Sequence, residues 1–296
     1  MKEMNGKMKK MITNGSHIIQ TGASASLAEG MVNGIDHMPT AFLTGALTHI
    51  WDLFLKTGND FSERNMSTRE SVKVGALFTL TAQKLNENFE SQKSLRTDNF
   101  FEPNQFERSS FEEIAEGALM VCQREYEEKK IKYMANLIAN ISCDETISKE
   151  IASQLIRLFE SLSYRQLLLL GMVGVGQTLP DDYHYLPKKK EVLDGYNVIS
   201  IYQELLDLFH KGLIRDIDSN IVTDSTQINL RNTKVIGIGV LLHNLTEITS
   251  DNLNESDHID RMRTLLQVHN YDIPDDLSNI NIVLSENKLT VRNRNV

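Results

Sequence analysis

Hydrophobic positions along this chain recur mostly at steps of three and four, the spacing that gathers side chains on one face of an α-helix. Over residues 68–90, Val74, Leu77, Phe78, Leu85 and Phe89 make such a face. Ser67, three residues ahead of Glu70, supplies a capping box, in which hydroxyl and carboxylate each satisfy a free backbone N–H. Over 111–142, Phe111, Ile114, Ala118, Cys122 and Tyr126 form a stripe that Met134, Leu137, Ile138 and Ile141 resume. That pattern predicts one long helix, opened by a second box, Ser110 with Glu113. Glu125 stands four residues before Lys129, the favourable order for a helical ion pair, and the charge run 127–130 reads as a solvated face. Ser148 opens a helix carrying Ile151, Leu155, Ile156, Phe159 and Leu162. Ser163 with Gln166 opens another over 164–173, where Leu167, Leu168, Leu169 and Leu170 are apolar all round and predict burial on most sides. In the turn-rich connector 94–108, Phe100 and Phe101 are expected to pin the loop to the core.

Residues 16–56 follow a different rule, being rich in glycine, alanine and serine. They read as two short helices turned by Pro39, with Gly30 and Gly34 allowing close backbone approach. A second reading is a membrane-active hairpin with Phe42, Trp51 and Phe54 at an interface, and the lack of a strongly cationic face counts against it.

The period changes again near residue 210. A helix over 198–210, with Ile201, Leu205, Leu208 and Phe209 on its apolar side, is followed by Gly212 as a left-handed cap and at once by the strand-like Leu213, Ile214 and Ile217. Asp218, Ser219 and Asn220 make a turn, and Ile221 and Val222 begin a return strand. A helix closed by Gly-Leu-Ile and leading into a hairpin is the junction by which a winged helix joins its third helix to its wing. The first two helices of such a module would be 163–173 and a short stretch at 187–193. The tail predicts helices over 234–245 and 256–268 and a terminal hairpin over 281–292.

The expected fold is therefore mainly α, α+β overall: a helical N-terminal half, a winged-helix-like module and a C-terminal β-hairpin. The expected divisions are 1–147, 148–250 and 251–296.

Composition narrows the function classes. Hydrophobic residues make up 41% of the 296 positions and charged residues 24%, the balance of an ordinary globular chain. The most apolar stretch, 41–55, is interrupted by His49 and Asp52 and is too short to span a bilayer. The basic start of the chain leads into no signal-peptide core, and two cysteines without CxxC spacing fit a reducing cytoplasm. The formal net charge of −9 argues against wholesale attraction to nucleic acid.

No phosphate-binding loop, zinc-protease motif, nucleophile elbow or metal-ligand cluster appears. Gly171, Gly174 and Gly176 read as a helix end, and the dispersed histidines and turn-forming acid pairs define no general acid and base. Neither cofactor nor metal is expected. The candidate contacts for a partner or nucleic acid are Lys188, Lys189, Lys190, Gln203, Lys211 and Arg215. A DNA-reading helix ordinarily offers basic or amide side chains, whereas this one carries Glu204 and Asp207 beside Gln203. That balance favours a protein partner or self-association over DNA, with a membrane role last.

Three stretches bear a resemblance: the SSFEEIAEG segment from Ser109, the EEKKIKYMANLIANI segment from Glu127, and SLSYRQL from Ser161. They are similar to uncharacterised bacterial proteins and, more distantly, resemble the Abi-alpha family linked to abortive infection. The similarity covers roughly residues 100–175. It implies a phage-defence setting and transfers no active site. The expectation is a non-enzymatic regulatory or protein-interaction protein. The alternatives are a DNA-binding transcriptional regulator and a membrane-acting effector using residues 16–56.

Overall fold

The structure, a computed structural model, describes residues 4–16, 32, 46–105, 107–176, 196–216 and 233–248. Among these it is mainly helical, with one two-stranded antiparallel sheet. The chain divides into two compact units, 1–162 with 245–247, and 163–244 with 248–296.

The first unit is built around an aromatic cluster. Helix α1 (Gly6–Gly15) is capped by the Asn5 side chain, which accepts from the Met8 N–H at 2.7 Å. The Asn5 amide also donates to Ser62 Oγ at 3.0 Å, tying the start of α1 to the end of α2 (Ala46–Ser62). On α2, Leu47, Ile50, Trp51, Phe54 and Leu55 are fully buried. Phe54 stacks on Phe78 with centroids 4.1 Å apart and meets Trp51 and Phe111 edge-on. This overturns the interfacial hairpin as a reading of Trp51 and Phe54, because both rings are 0% exposed in the protein core. The rest of that segment, Pro39, Phe42, Gly30 and Gly34 included, lies outside the described residues. Close backbone approach does occur, at other glycines: a Cβ on Gly75 would stand 1.8 Å from the Met11 carbonyl oxygen and one on Gly15 2.2 Å from the Ala76 nitrogen. Glycine alone lets α1 seat this closely on α3 (Thr68–Glu90).

Helix α3 begins at the expected Ser67–Glu70 box. Its buried line runs Val74, Leu77, Phe78, Leu85 and then Asn88 rather than Phe89, which is 50% exposed. The 3.6-residue period carries the inner face from 85 to 88. The helix ends in a Schellman closure, with the Gln92 N–H donating to Phe89 O at 3.0 Å and the Lys93 N–H to Asn88 O at 2.9 Å, and Gln92 takes a φ of 60° to make it.

In the connector, Phe100 and Phe101 are buried against Phe111, as expected. Beside them Arg96, 5% exposed, grips Asp98 through both carboxylate oxygens at 2.6 and 2.5 Å. It also donates to the Ile147 carbonyl at 2.9 Å and stacks over the Phe100 ring.

The single long helix expected over 111–142 is two: α4 (Ser110–Arg124) and α5 (Lys130–Ile141). The capping box forms one residue earlier than expected, Ser109 with Glu112, and the Glu112 carboxylate also pairs with Lys56 at 2.6 Å. At the break the Glu125 carbonyl accepts from Lys73 Nζ at 2.6 Å, and its carboxylate takes the Glu127 N–H at 2.9 Å and pairs with Lys130. Glu125 leaves the helix as an extended C-cap, with ψ at 128°, and its carbonyl is turned to Lys73. The expected Glu125–Lys129 pair is thus replaced by a buried Glu125–Lys130 pair, and Lys130, 2% exposed, sits over the Phe159 ring instead of on a wet face. Tyr126, expected in the apolar stripe, is 85% exposed.

Helix α6 (Lys149–Ser161) is capped by Ser148 and buries Ala152, Leu155, Ile156 and Phe159. That face packs against α4, so the division expected after 147 falls instead after 162. Residues 245–247 complete the unit: Asn136 and Asn140 donate to the Thr246 and Leu245 carbonyls, each at 2.9 Å, and Lys84 and Lys93 pair with the Glu247 carboxylate at 2.5 and 3.1 Å.

The second unit has an aliphatic core. Helix α7 (Tyr164–Gly176) buries Leu167, Leu168, Leu169 and Leu170 together, as expected for a helix apolar all round. Helix α8 (Tyr196–His210) buries Leu205, Leu206 and Leu208. Strand β1 (Ile214–Asp216) pairs antiparallel with β2 (Thr233–Val235), and α9 (Ile238–Thr246) follows. Lys234 and Val235 are strand residues, not the start of the helix expected over 234–245. Gly237 at φ 51° turns the chain between strand and helix, and a Cβ on Gly239 would stand 2.4 Å from the Leu213 carbonyl oxygen, so α9 starts where only glycine fits. The expected helix at 187–193, the return strand at Ile221 and Val222, and everything expected over 251–296 lie outside the described residues.

Candidate partner-binding surface

The surface is positioned by the seam between α7 and α8. Ser163 and Gln166 form the expected capping box: the Gln166 N–H donates to Ser163 Oγ at 3.0 Å and the Ser163 N–H to Gln166 Oε1 at 2.9 Å. With the start of α7 fixed, Arg165 reaches across to Glu204 Oε2 at 2.5 Å and to the Ser200 hydroxyl, and Ser163 Oγ donates to Glu204 Oε1 at 3.3 Å. Asp207 accepts from Gln166 and Gln203, both at 3.5 Å. The two acidic residues that weighed against a basic partner-binding helix are thus engaged within the unit itself.

At the end of α8, the Gly212 N–H donates to Phe209 O at 2.9 Å and the Leu213 N–H to Leu208 O at 3.0 Å, the double hydrogen bond of a Schellman motif, with Gly212 at φ 68°. Leu208 and Leu213 are both buried there, which locks the angle at which α8 delivers the chain into β1. The register pairs Ile214 with Val235, Arg215 with Lys234, and Asp216 with Thr233. Side chains alternate across a strand, so Ile214, Asp216, Thr233 and Val235 turn inward while Arg215 and Lys234 share the outer face.

Of the candidates named from sequence, Gln203, Lys211 and Arg215 are all exposed on this stretch. Lys188, Lys189 and Lys190 lie outside the described residues. Lys234 was missed because the spacing of 234–245 reads as a helix; only the pairing with β1 places it opposite Arg215. Among the described residues no group of histidine, cysteine, aspartate and glutamate side chains is arranged to hold a metal ion, and no helix is long and apolar enough to cross a membrane. Both cysteines are free. Burial pushes the Cys122 thiol far above its ordinary range, with the Glu125 charge adding to it, and burial likewise raises Cys143 against the opposing hydrogen bond from Asn88. Neither is poised as a thiolate.

No family model, no curated relative and no solved structure matches the chain.

Proposed function

We propose that this protein regulates by binding rather than by catalysis, and that its second unit is a winged-helix-like module presenting α8 and the β1–β2 pair to a macromolecular partner. The carrying observation is the junction. A helix closed at Gly212 passes directly into β1, which pairs antiparallel with a strand arriving after residues 217–232. Helix, strand and returning antiparallel strand is the order in which a winged helix hangs its wing from its third helix, and α7 supplies the first helix. A fold is a scaffold for many activities, so the reading is tested at a named contact position. A photo-crosslinking residue at Gln203, exposed on α8, should form a specific adduct in cells, whereas one at the exposed Glu150 of the first unit should not. Adducts at both positions alike, or at neither, would sink the reading.

The resemblance of residues 100–175 to the Abi-alpha family supports a cytoplasmic phage-defence setting for that regulation. Cells expressing the protein should then plate phage at reduced efficiency, and unchanged plating across a phage panel would remove the setting while leaving the binding reading to its own test.

A further inference from the structure

We propose that residues 125–129 are a hinge through which two copies of this chain exchange halves: α4 and α5 join into one continuous helix, and α5 and α6 of each copy pack on α3 and α4 of the other. The observation behind it is a conflict between local sequence and tertiary structure at one helix boundary. Helices α1, α3, α4 and α6 each open on a capping side chain, Asn5, Ser67, Ser109 and Ser148. Helix α5 opens at Lys129 with none. Nothing in residues 124–132, Arg-Glu-Tyr-Glu-Glu-Lys-Lys-Ile-Lys, stops a helix. There is no glycine, proline, serine, asparagine or aspartate, and Glu125 with Lys129 and Glu128 with Lys132 stand in the favourable order at four-residue spacing. The break is imposed from elsewhere. Lys73 of α3 takes the Glu125 carbonyl at 2.6 Å, the Glu125 carboxylate takes the Glu127 N–H at 2.9 Å and pairs with Lys130, and Lys73, Glu125 and Lys130 are all buried. Buried ion pairs add little net stability, whereas the backbone groups left open on both sides of the break pair with one another in a continuous helix. The break also leaves Tyr126 85% exposed, and a continuous helix sets it on the stripe of Ala118 and Cys122. An element whose local preference and packing disagree has a second state within reach.

Geometry fixes what that state is. On a helix continuous with α4, residue 141 stands about 25 Å beyond residue 124, so α5 leaves the α3 of its own copy, against which it packs. Its buried face, Ile131, Met134, Leu137 and Ile138 among others, is too apolar to be left in water. The surface that fits it is the same α3 on a second copy. Exchange through a hinge restores each contact between the halves and alters the hinge alone. Glu113 of α4 with Lys149 of α6 at 2.7 Å, and Asn88 of α3 with Asn140 of α5 at 3.0 Å, are contacts of this kind. Two copies related by a twofold axis satisfy each other fully, so assembly stops at the dimer.

The exchange is read directly by isotope mixing. Equal amounts of light and heavy-isotope full-length chain are unfolded in urea, refolded together at high concentration and separated by size exclusion. The dimer is then treated with a zero-length carbodiimide cross-linker. Peptides joining Glu113 to Lys149 should be of mixed isotope in about half of cases, the share that random pairing of copies gives, because α4 of one copy meets α6 of the other. Peptides joining Lys56 to Glu112, which both precede the hinge, should be of single isotope throughout. Tyr126→Pro separates the two states. The Glu125 ψ of 128° is one that a following proline favours, whereas a proline at 126 interrupts a continuous helix. This variant should keep the urea midpoint of the wild-type monomer, followed by Trp51 fluorescence, and raise the dimer dissociation constant at least about a hundredfold. A wild-type chain that stays monomeric after this refolding overturns the proposal, as does a dimer whose Glu113–Lys149 peptides are all of single isotope. So does a Tyr126→Pro chain that folds and dimerises as well as the wild type. If that variant does not fold, the isotope result on the wild-type chain decides alone.

Discussion

The two units handle charge and core in opposite ways. The first is packed around large aromatic rings, Trp51, Phe54, Phe78 and Phe111, and draws charged groups inward: Lys130, Glu125, Glu112 and Arg96 are all under 9% exposed, each with an ion-pair partner. The second is packed with leucine and keeps its exposed cationic side chains on the outside. A buried ion pair gains little net stability over a well-packed apolar pair but fixes geometry, and in the first unit the Glu125–Lys130 pair does this at the α4–α5 break. The first unit therefore has the marks of a specified scaffold, and the second those of a contact module, which is how the proposed division of labour arises.

The comparison can be broken first at the aromatic cluster. Phe54→Ala should destabilise the first unit by about 3–5 kcal/mol. Trp51 is the chain's only tryptophan and stacks edge-on against Phe54, so its fluorescence during urea denaturation follows this unit directly. A shift in the tryptophan midpoint of less than a quarter of that size would mean the cluster is not the core of the unit.

The role of the buried pair is separated by a double-mutant cycle. Lys130→Met strands the Glu125 carboxylate and should cost about 3 kcal/mol, whereas Glu125→Leu with Lys130→Met should recover most of it. Recovery accompanied by hydrogen-exchange protection across 125–129 would show that the pair holds the helix break rather than the stability. Without recovery, the Lys73 contact to the Glu125 carbonyl is the stronger device.

The closure at 245–247 predicts an acid response. Burial pushes the Glu247 carboxyl up, but hydrogen bonds from Lys84 and Asn140 and the Lys84 charge outweigh it and hold the group below its ordinary value. A carboxylate depressed in the folded state contributes stability above the ordinary glutamate range and loses it as pH falls through the folded value. Glu247→Gln should therefore lower stability at pH 7 by about 1 kcal/mol and flatten the loss expected as pH falls below the ordinary glutamate range. An unchanged pH profile would assign the acid response elsewhere.

The smallest effects compare two helix ends built alike. Helices α3 and α8 both finish in Schellman closures, one with Gln92 at φ 60° and the other with Gly212 at φ 68°. Gln92→Gly should stabilise by about 0.5–1 kcal/mol and Gly212→Ala should destabilise by about 1 kcal/mol, since L side chains resist the left-handed region. Thermal melts read both.

Local chemistry was legible at several places where one turn of chain contains both partners. The boxes at Ser67 and Glu70 and at Ser163 and Gln166, the cap at Ser148, the left-handed Gly212 and the all-apolar turn of α7 could be read from residue order alone, because a capping hydroxyl and its N–H are three residues apart and need no tertiary help. What failed did so by competition. Ser109 and Ser110 each precede a glutamate by three; Glu112 closes the box and pairs with Lys56, while Glu113 pairs with Lys149 instead. The 120–132 stretch is good helical text, and it was Lys73, from another helix, that claimed the Glu125 carbonyl.

The candidate surface divides along the same line. Gln203, Lys211 and Arg215 could be named in advance because α8, its glycine cap and the strand after it are local. Lys234 joined them only through a strand register whose two halves are separated by residues 217–232. The residue order by itself determined α3, α6 and α7 with their caps at Ser67, Ser148 and Ser163, and the junction at Gly212, since these depend on backbone groups within a turn of one another. The tertiary structure decided which carbonyl was diverted, which glutamates turned inward and which cation stood opposite Arg215, because each depends on side chains that only packing brings within hydrogen-bonding or pairing distance.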